Sequence, residues 1–99
     1  MAARMLVIQG GRLIDGNGGR PVDNATVVIE KNRIKRVASG LAGEIPQEAT
    51  VIDARGKTIL PGLIDNHIHH RDLLGELFLA FGVTSVRDAG DEIVAESII

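Results

Sequence analysis

The chain has 99 residues, 44% of them apolar, and a formal net charge of −2. This length suits one small domain rather than two full ones, and so small a net charge predicts neither a nucleic-acid partner nor a lipid surface. The absence of cysteine excludes disulfide bonds and thiolate metal ligands. Because aromatic residues make up only 2% of the chain, the core must be built from Val, Ile, Leu and Ala.

The first 60 residues are typical of short β-strands separated by turns. Gly10 and Gly11 are predicted to break the first strand, and Lys31-Asn32 reads as a tight turn between two later ones. Ile34 and Val37 cannot share a face under strict alternation, which predicts a bulge or an early end there. Turn signals every several residues favour a small β-sandwich or β-roll. The predicted strands are 5–9, 13–14, 25–30, 33–37, 51–53 and 58–60.

The pattern changes after Pro61-Gly62. A strand at 63–69 is followed by a predicted helix at 71–81, ended by Gly82 as a C-cap residue, and by a strand at 83–87. A last helix is predicted from Asp91, as N-cap, to Ile99. Strand, helix, strand, helix is the unit of a parallel α/β sheet. The apolar stripe of the first helix consists of Leu73, Leu74, Leu77, Phe78 and Phe81.

Two histidines two residues apart are the strongest functional signal. In an extended strand Asp65, His67 and His69 point to one side, whereas Asn66, Ile68 and His70 point to the other. Two imidazoles on one face of a strand can bind a single metal ion through their ring nitrogens. For an arbitrary His-x-His pair, however, surface or core histidines without a ligand role are the commoner outcome.

Several segments together resemble the N-terminal portion of the amidohydrolase superfamily, which comprises metal-dependent hydrolases built on a TIM (β/α)8 barrel. One match covers residues 51–69, ends in PGLIDNHIH and is most specific over 56–69; the others are GRLIDG at 11–16, the segment around 27–34 and FGVTSVRDAG at 81–90. The helix before this last segment is similar to imidazolonepropionase-like and prolidase-like members. The resemblance implies a β-rich part over residues 1–60, belonging to a composite β domain, and the first two βα units of the barrel over 61–99. A complete barrel takes about 250 residues.

The resemblance also implies a site. His67 and His69 would be metal ligands at the end of the first barrel strand, holding one or two divalent ions, with Zn²⁺ expected. Asp65 would orient or pack rather than bind, and Asp88 would lie near the mouth of the barrel without being catalytic. Further ligands and the general base come from later strands in this family, so the base lies outside this chain and the chain alone is expected to be inactive.

Arg71 and His70 follow the histidine pair. In His-x-His-x-Arg, Arg71 resembles the arginine that meets a substrate carboxylate in dihydroorotase-type members; the alternative is an arginine at the start of a helix. His70 is expected to be a partly exposed polar residue. The glycines of residues 16–19 are interpreted as turn residues, because they do not open a helix after a strand.

Two hypotheses of different classes follow. In the first, the chain is a piece of a hydrolase that cleaves an amide-type C–N bond in a small molecule, and the remainder of the barrel lies on another chain or the protein forms a homo-oligomer. In the second, it is a truncated, non-catalytic piece that folds or self-associates. The N-terminal segment lacks the apolar core of a signal peptide and no run is long enough to span a bilayer, so a cytoplasmic location is expected.

Overall fold

The computed structural model describes residues 4–40, 45–71, 74–90 and 95–97. Two compact units are present, Met1–Pro61 and Gly62–Ile99. The strands of the first unit are β1 Met5–Leu13, β2 Val22–Glu30, β3 Arg33–Ser39, β4 Thr50–Asp53 and β5 Thr58–Ile59. Those of the second are β6 Leu63–Ile68, β7 Val83–Asp88 and β8 Ala95–Ser97, with helix α1 Leu74–Ala80.

The first unit is built on one mixed sheet. Its strands run in the order β3-β2-β1-β4, and β5 also pairs with β1. Neighbours β1, β2 and β3 are antiparallel and follow one another through turns, whereas β4 and β5 lie parallel to β1. The two layers of the predicted sandwich are therefore not formed by the described residues of this unit, whereas the alternative prediction, a roll, needs only one sheet. Their strands share a single sheet, because β4 and β5 add to the free edge of β1 instead of forming a second layer.

The core lies around the central strands β1 and β2. Val7 and Ala25 are fully buried, and Val27 and Val28 nearly so, on opposite faces of β2. The one buried polar side chain among the described residues is Thr26, whose hydroxyl donates to the Gly40 carbonyl at 2.7 Å. Its hydrogen bond removes the cost of burying a polar group. One apolar cluster joins Leu13, Ala25 and Val27 with Ile8, Val22, Ile29 and Ile59.

Strand β1 runs through Gly10-Gly11, where the sequence predicts a break. The register against β2 shifts on both sides of Gly11, and Gly10 has a φ of +88°. A bulge lets glycine absorb the irregular backbone without ending the strand. Gly11 also permits close packing, because a Cβ there would lie 2.8 Å from an Ile59 side-chain carbon and 3.0 Å from the Ala54 Cβ.

The turn and the bulge predicted for the β2–β3 hairpin are confirmed. Lys31 adopts a φ of +56° in the turn, and its N–H donates to the Arg4 carbonyl at 2.9 Å. The register moves from Val28 opposite Arg36 to Ile29 opposite Ile34, so β3 holds one extra residue. Ile34 and Val37 are 67% and 48% exposed, and the bulge explains why their spacing breaks the alternation.

In the second unit, β6 and β7 are parallel and joined through α1. The predicted C-cap is confirmed, since Gly82 has a φ of +79° and its N–H donates to the Leu79 carbonyl at 3.0 Å. The helix begins at Leu74, later than the predicted residue 71, and residues 72 and 73 lie outside the described residues. At the start of β6, a Cβ on Gly62 would collide with the Thr84 side chain, so only glycine fits there.

The prediction of a final helix is wrong for residues 95–97. These residues form β8, which pairs antiparallel with β7 in the order β6-β7-β8. Asp91, the predicted N-cap, lies outside the described residues. The physical reason is that β7 has a second edge of backbone donors and acceptors, and an extended segment satisfies them whereas a helix cannot.

The stripe predicted for the first helix is half-buried at Leu74 and Phe78 and exposed at Leu77 and Phe81. No side chain of α1 is buried, and Leu77 and Phe81 are 54% and 79% exposed. Leu73 lies outside the described residues. Within the part of the chain that is described, no helix is both long enough and apolar enough to cross a membrane.

Candidate metal centre

The C-terminal end of β6 brings the two histidines together. His67 and His69 have ring centroids 5.3 Å apart and ring planes inclined by 73°. Both are exposed, whereas the intervening Ile68 is 6% exposed and anchors the strand end. Two zinc–nitrogen bonds of tetrahedral geometry require nitrogens about 3.3 Å apart. Since ring nitrogens lie at the ring edges, the observed separation of the rings is compatible with a shared cation.

Asp65 binds the backbone of the first histidine. Its carboxylate Oδ1 accepts the His67 N–H at 3.1 Å. The register against β7 is irregular at this point: Asp65 pairs with Val86 and Ile68 with Asp88, so β6 advances three residues while β7 advances two. Strict alternation was the basis for placing Asp65, His67 and His69 together. The strand instead has a bulge between Asp65 and Ile68, and the rings of His67 and His69 lie next to each other despite this irregularity.

Asp88 is the last residue of the adjacent strand β7, and its side chain binds the turn that follows. Its Oδ1 accepts the Gly90 N–H at 2.8 Å, and the neighbouring Ala89 N–H donates to the Ile68 carbonyl at 2.8 Å. These bonds tie the end of β7 to the end of β6. The Asp88 carboxylate therefore shapes a turn at the same strand end as the histidine pair.

His70 and Arg71 follow the pair and are both exposed. The Arg71 carbonyl accepts the Leu74 N–H at 3.2 Å, so the residue lies immediately before α1. This placement agrees with an arginine at a helix start, and substrate contact stays a prediction.

The donors present fit a divalent cation in kind but not in number. Imidazole nitrogen suits zinc and other borderline cations. A closed zinc site uses about four donors, and the described residues contain no group of three or more His, Cys, Asp or Glu side chains placed to hold a metal. Within the described part of the chain, His67 and His69 are thus two candidate donors and do not make a complete metal site.

A groove in the first unit was missed by the sequence reasoning. It measures about 420 Å³ and is lined by the bulge of β1, by Asn24 and by the end of β4. Its charged members, Asp53 and Arg55, form a fork-like ion pair, with Arg55 Nη2 2.6 Å from Asp53 Oδ2 and Nε 2.9 Å from Oδ1. The Asp-x-Arg spacing was the available signal. Because the two charges neutralise each other, the groove offers no net charge to a ligand.

The ion pair changes the acidity of Asp53. The side-chain hydrogen bonds from Arg55, with that from the Arg55 backbone N–H, lower the Asp53 pKa from 3.8 to about 2. The same carboxylate raises the pKa of the Arg55 guanidinium. Both side chains are more than half exposed, so solvent screens the interaction.

A pH dependence follows from this lowered pKa. The stabilisation by the Asp53 carboxylate is complete above the unfolded-state pKa near 3.8 and is lost as the pH falls through about 2. An NMR titration of the Asp53 side chain should give a midpoint near 2, and Arg55→Ala should move it upward toward 3.8. A midpoint unchanged by Arg55→Ala would contradict the ion pair as its cause.

Curated proteins of similar sequence are dihydroorotases. That of Trichlorobacter lovleyi is 46% identical over 67 residues, which are 68% of this chain and 15% of that protein. That of Geobacter sulfurreducens is 44% identical over 68 residues, with the same coverage of both. The chain thus spans about one seventh of the length of the curated relatives it matches. No family model matches it.

Solved structures with a similar fold include other hydrolases. A molinate hydrolase is 34% identical with a TM-score of 0.72, covering 89% of this chain and 24% of its own. A putative prolidase from Bifidobacterium longum is 28% identical with a TM-score of 0.75 and the same coverage. An amidohydrolase is 30% identical with a TM-score of 0.70, covering 89% of this chain and 26% of its own.

The strand-rich fold of this chain is thus similar to that of a class of hydrolases. The chain belongs to the amidohydrolase superfamily, as the motif ending in His67 and His69 predicted.

Proposed function

We propose that this chain supplies part of the active site of a metal-dependent hydrolase that cleaves a C–N bond in an amide, a cyclic amide or a peptide-like substrate. His67 and His69 hold the cation, Zn²⁺ being the expected ion. When bound, a divalent cation lowers the pKa of a water molecule and polarises the scissile carbonyl. The general base and the remaining ligands come from outside this chain.

The observation that carries the proposal is the pair of adjacent imidazoles at the end of β6, 5.3 Å apart and exposed. Relatives named dihydroorotase and prolidase support the choice of bond. Arg71, two residues after the pair, is proposed to contact a carboxylate of the substrate.

The unit Gly62–Ile99 is proposed to be the start of a (β/α)8 barrel. The parallel strands β6 and β7, joined through α1, have the connectivity of a βαβ unit. In such barrels the catalytic residues lie at the C-terminal ends of the strands, and both histidines are at that end of β6. The remaining strands would come from further polypeptide, covalently continuous or separate, and residues 1–60 would belong to a composite β domain.

A second candidate is favoured by the incomplete ligand set and the exposed apolar surface. Among the described residues, two imidazole donors meet at the end of β6, and Ile64 and Phe81 are 70% and 79% exposed. A chain in this state would be a non-catalytic piece that self-associates through these surfaces.

Metal removal separates the two candidates. The protein is purified together with the polypeptide that completes the barrel and is assayed against a cyclic amide and an Xaa-Pro dipeptide as isolated, after chelation, and after Zn²⁺ is restored. For the enzyme we expect hydrolysis of at least one substrate, its loss on chelation and its recovery with zinc. The control is the same cycle with Mg²⁺, a cation that prefers oxygen ligands.

Two results would contradict the proposal. Hydrolysis that persists after complete metal removal would exclude the metal-dependent mechanism. Zinc-loaded protein that hydrolyses neither substrate, together with a mass in solution above that of one chain, would favour the non-catalytic piece. Intact denaturing mass spectrometry shows at the same time whether a second, larger polypeptide completes the enzyme.

A further inference from the structure

In the described part of the chain, Asp65 is the titratable side chain that accepts a hydrogen bond from the backbone of a proposed ligand residue. Its Oδ1 accepts the His67 N–H at 3.1 Å, and this contact lies at the irregularity of the β6–β7 ladder. A carboxylate that accepts a backbone N–H two residues on fixes the local backbone conformation. At a bulge, where an extra residue interrupts the ladder, the backbone direction is otherwise weakly determined.

The backbone conformation at the bulge affects the positions of both histidine rings. The direction in which a side chain leaves a strand depends on its backbone, and the bulge lies between Asp65 and Ile68. The end of the strand is fixed separately, because the Ile68 carbonyl accepts the Ala89 N–H and the Ile68 side chain is buried. His67 is therefore held from one side by Asp65 and from the other by Ile68, which leaves its ring 5.3 Å from that of His69.

From this geometry we infer that Asp65 is a positioning residue, whose carboxylate sets the bulged backbone that brings the imidazoles of His67 and His69 together for one cation. This inference rests on the proposed function. It differs from a ligand role, in which the Asp65 carboxylate would itself contact the cation, and the described residues do not group it with the histidines as a ligand set.

Substitutions at Asp65 separate these roles. Asp65→Asn retains an oxygen that accepts the His67 N–H, so Zn²⁺ affinity should stay within about threefold of the unsubstituted protein. Asp65→Ala removes the acceptor and should weaken Zn²⁺ binding by about 10- to 100-fold, as loss of a residue that orients a ligand does. A ligand role would instead make Asn as damaging as Ala.

A second variant and a matched control guard against misfolding. Asp65→Glu keeps the charge but displaces the carboxylate by one methylene, so positioning predicts weakening of about tenfold or more, whereas a simple charge effect predicts none. The control is Asp15→Ala. The Asp15 Oδ1 accepts the Asn17 N–H at 2.8 Å in an exposed turn, so this variant loses the same kind of contact and should bind Zn²⁺ unchanged.

Binding is followed by NMR of the histidine imidazoles of the full chain during a Zn²⁺ titration, which measures weak affinities as well as strong ones. Hydrogen exchange of the His67 amide in metal-free protein is the second readout, expected to be faster in Asp65→Ala and Asp65→Glu than in Asp65→Asn. If His67→Ala binds Zn²⁺ as well as the unsubstituted chain, the proposed metal site fails, and the inference with it. If His67→Ala loses Zn²⁺ while Asp65→Ala retains it, only the inference is overturned.

Discussion

Replacing His67 with alanine should abolish hydrolysis and weaken Zn²⁺ binding by more than the roughly 10- to 100-fold that loss of an orienting residue costs. The reason is that the described residues offer two imidazoles at this site, and removing either leaves a single nitrogen donor. His69→Ala should have the same effect. Zinc content after dialysis and the rate of C–N hydrolysis measure the two consequences.

His70→Ala is the matched control for this experiment. His70 has the same side chain, is exposed and follows the pair directly, but the proposed site does not include it. We expect its zinc content and activity to match those of the unsubstituted protein. Loss of zinc in His70→Ala equal to that in His67→Ala would show that the ligand pair has been assigned to the wrong histidines.

Val7→Asp should unfold the unit Met1–Pro61. Val7 is fully buried in β1, between Val28 of β2 and Val51 of β4. A carboxylate there has no partner, and burying it costs several kcal/mol, a large part of the roughly 5–15 kcal/mol that stabilises a domain. Urea unfolding followed by circular dichroism measures the loss.

Val51→Asp is the control, since Val51 is the register partner of Val7 on the adjacent parallel strand. It is 48% exposed, so its carboxylate keeps contact with water and the protein should stay folded with a small loss of stability. If both variants unfold at the same urea concentration, burial on the central strand is not what distinguishes these two valines.

Several turns and irregularities of both units were predictable because their signals are local. The Lys31-Asn32 turn, the bulge in β3 and the glycine that ends α1 each depend on residues within one or two positions. The continuity of β1 was not predictable from Gly10-Gly11. It depends on the pairing of β1 with β2, β4 and β5, of which β4 and β5 lie far along the chain.

The closeness of the two histidines was predictable from the sequence, whereas the contacts that support it were not. The spacing of His67 and His69 identified the pair, since side chains two apart in a strand share a face. The Asp65 contact with the His67 N–H and the bulge at the same point depend on how β6 pairs with β7. The Asp53–Arg55 pair is equally local in sequence, but the groove beside it exists only because β4 lies next to β1.

By itself, the sequence determined where most of the strands and turns lie, which two histidines lie close together and to which superfamily the chain belongs. The tertiary structure alone decided the order β3-β2-β1-β4, the parallel addition of β4 and β5 to β1, and the pairing of residues 95–97 with β7. The reason is physical. Local signals come from side chains and φ preferences, whereas strand pairing uses backbone N–H and C=O groups that every residue except proline carries alike, so the choice of partner depends on which edge the folded chain leaves free.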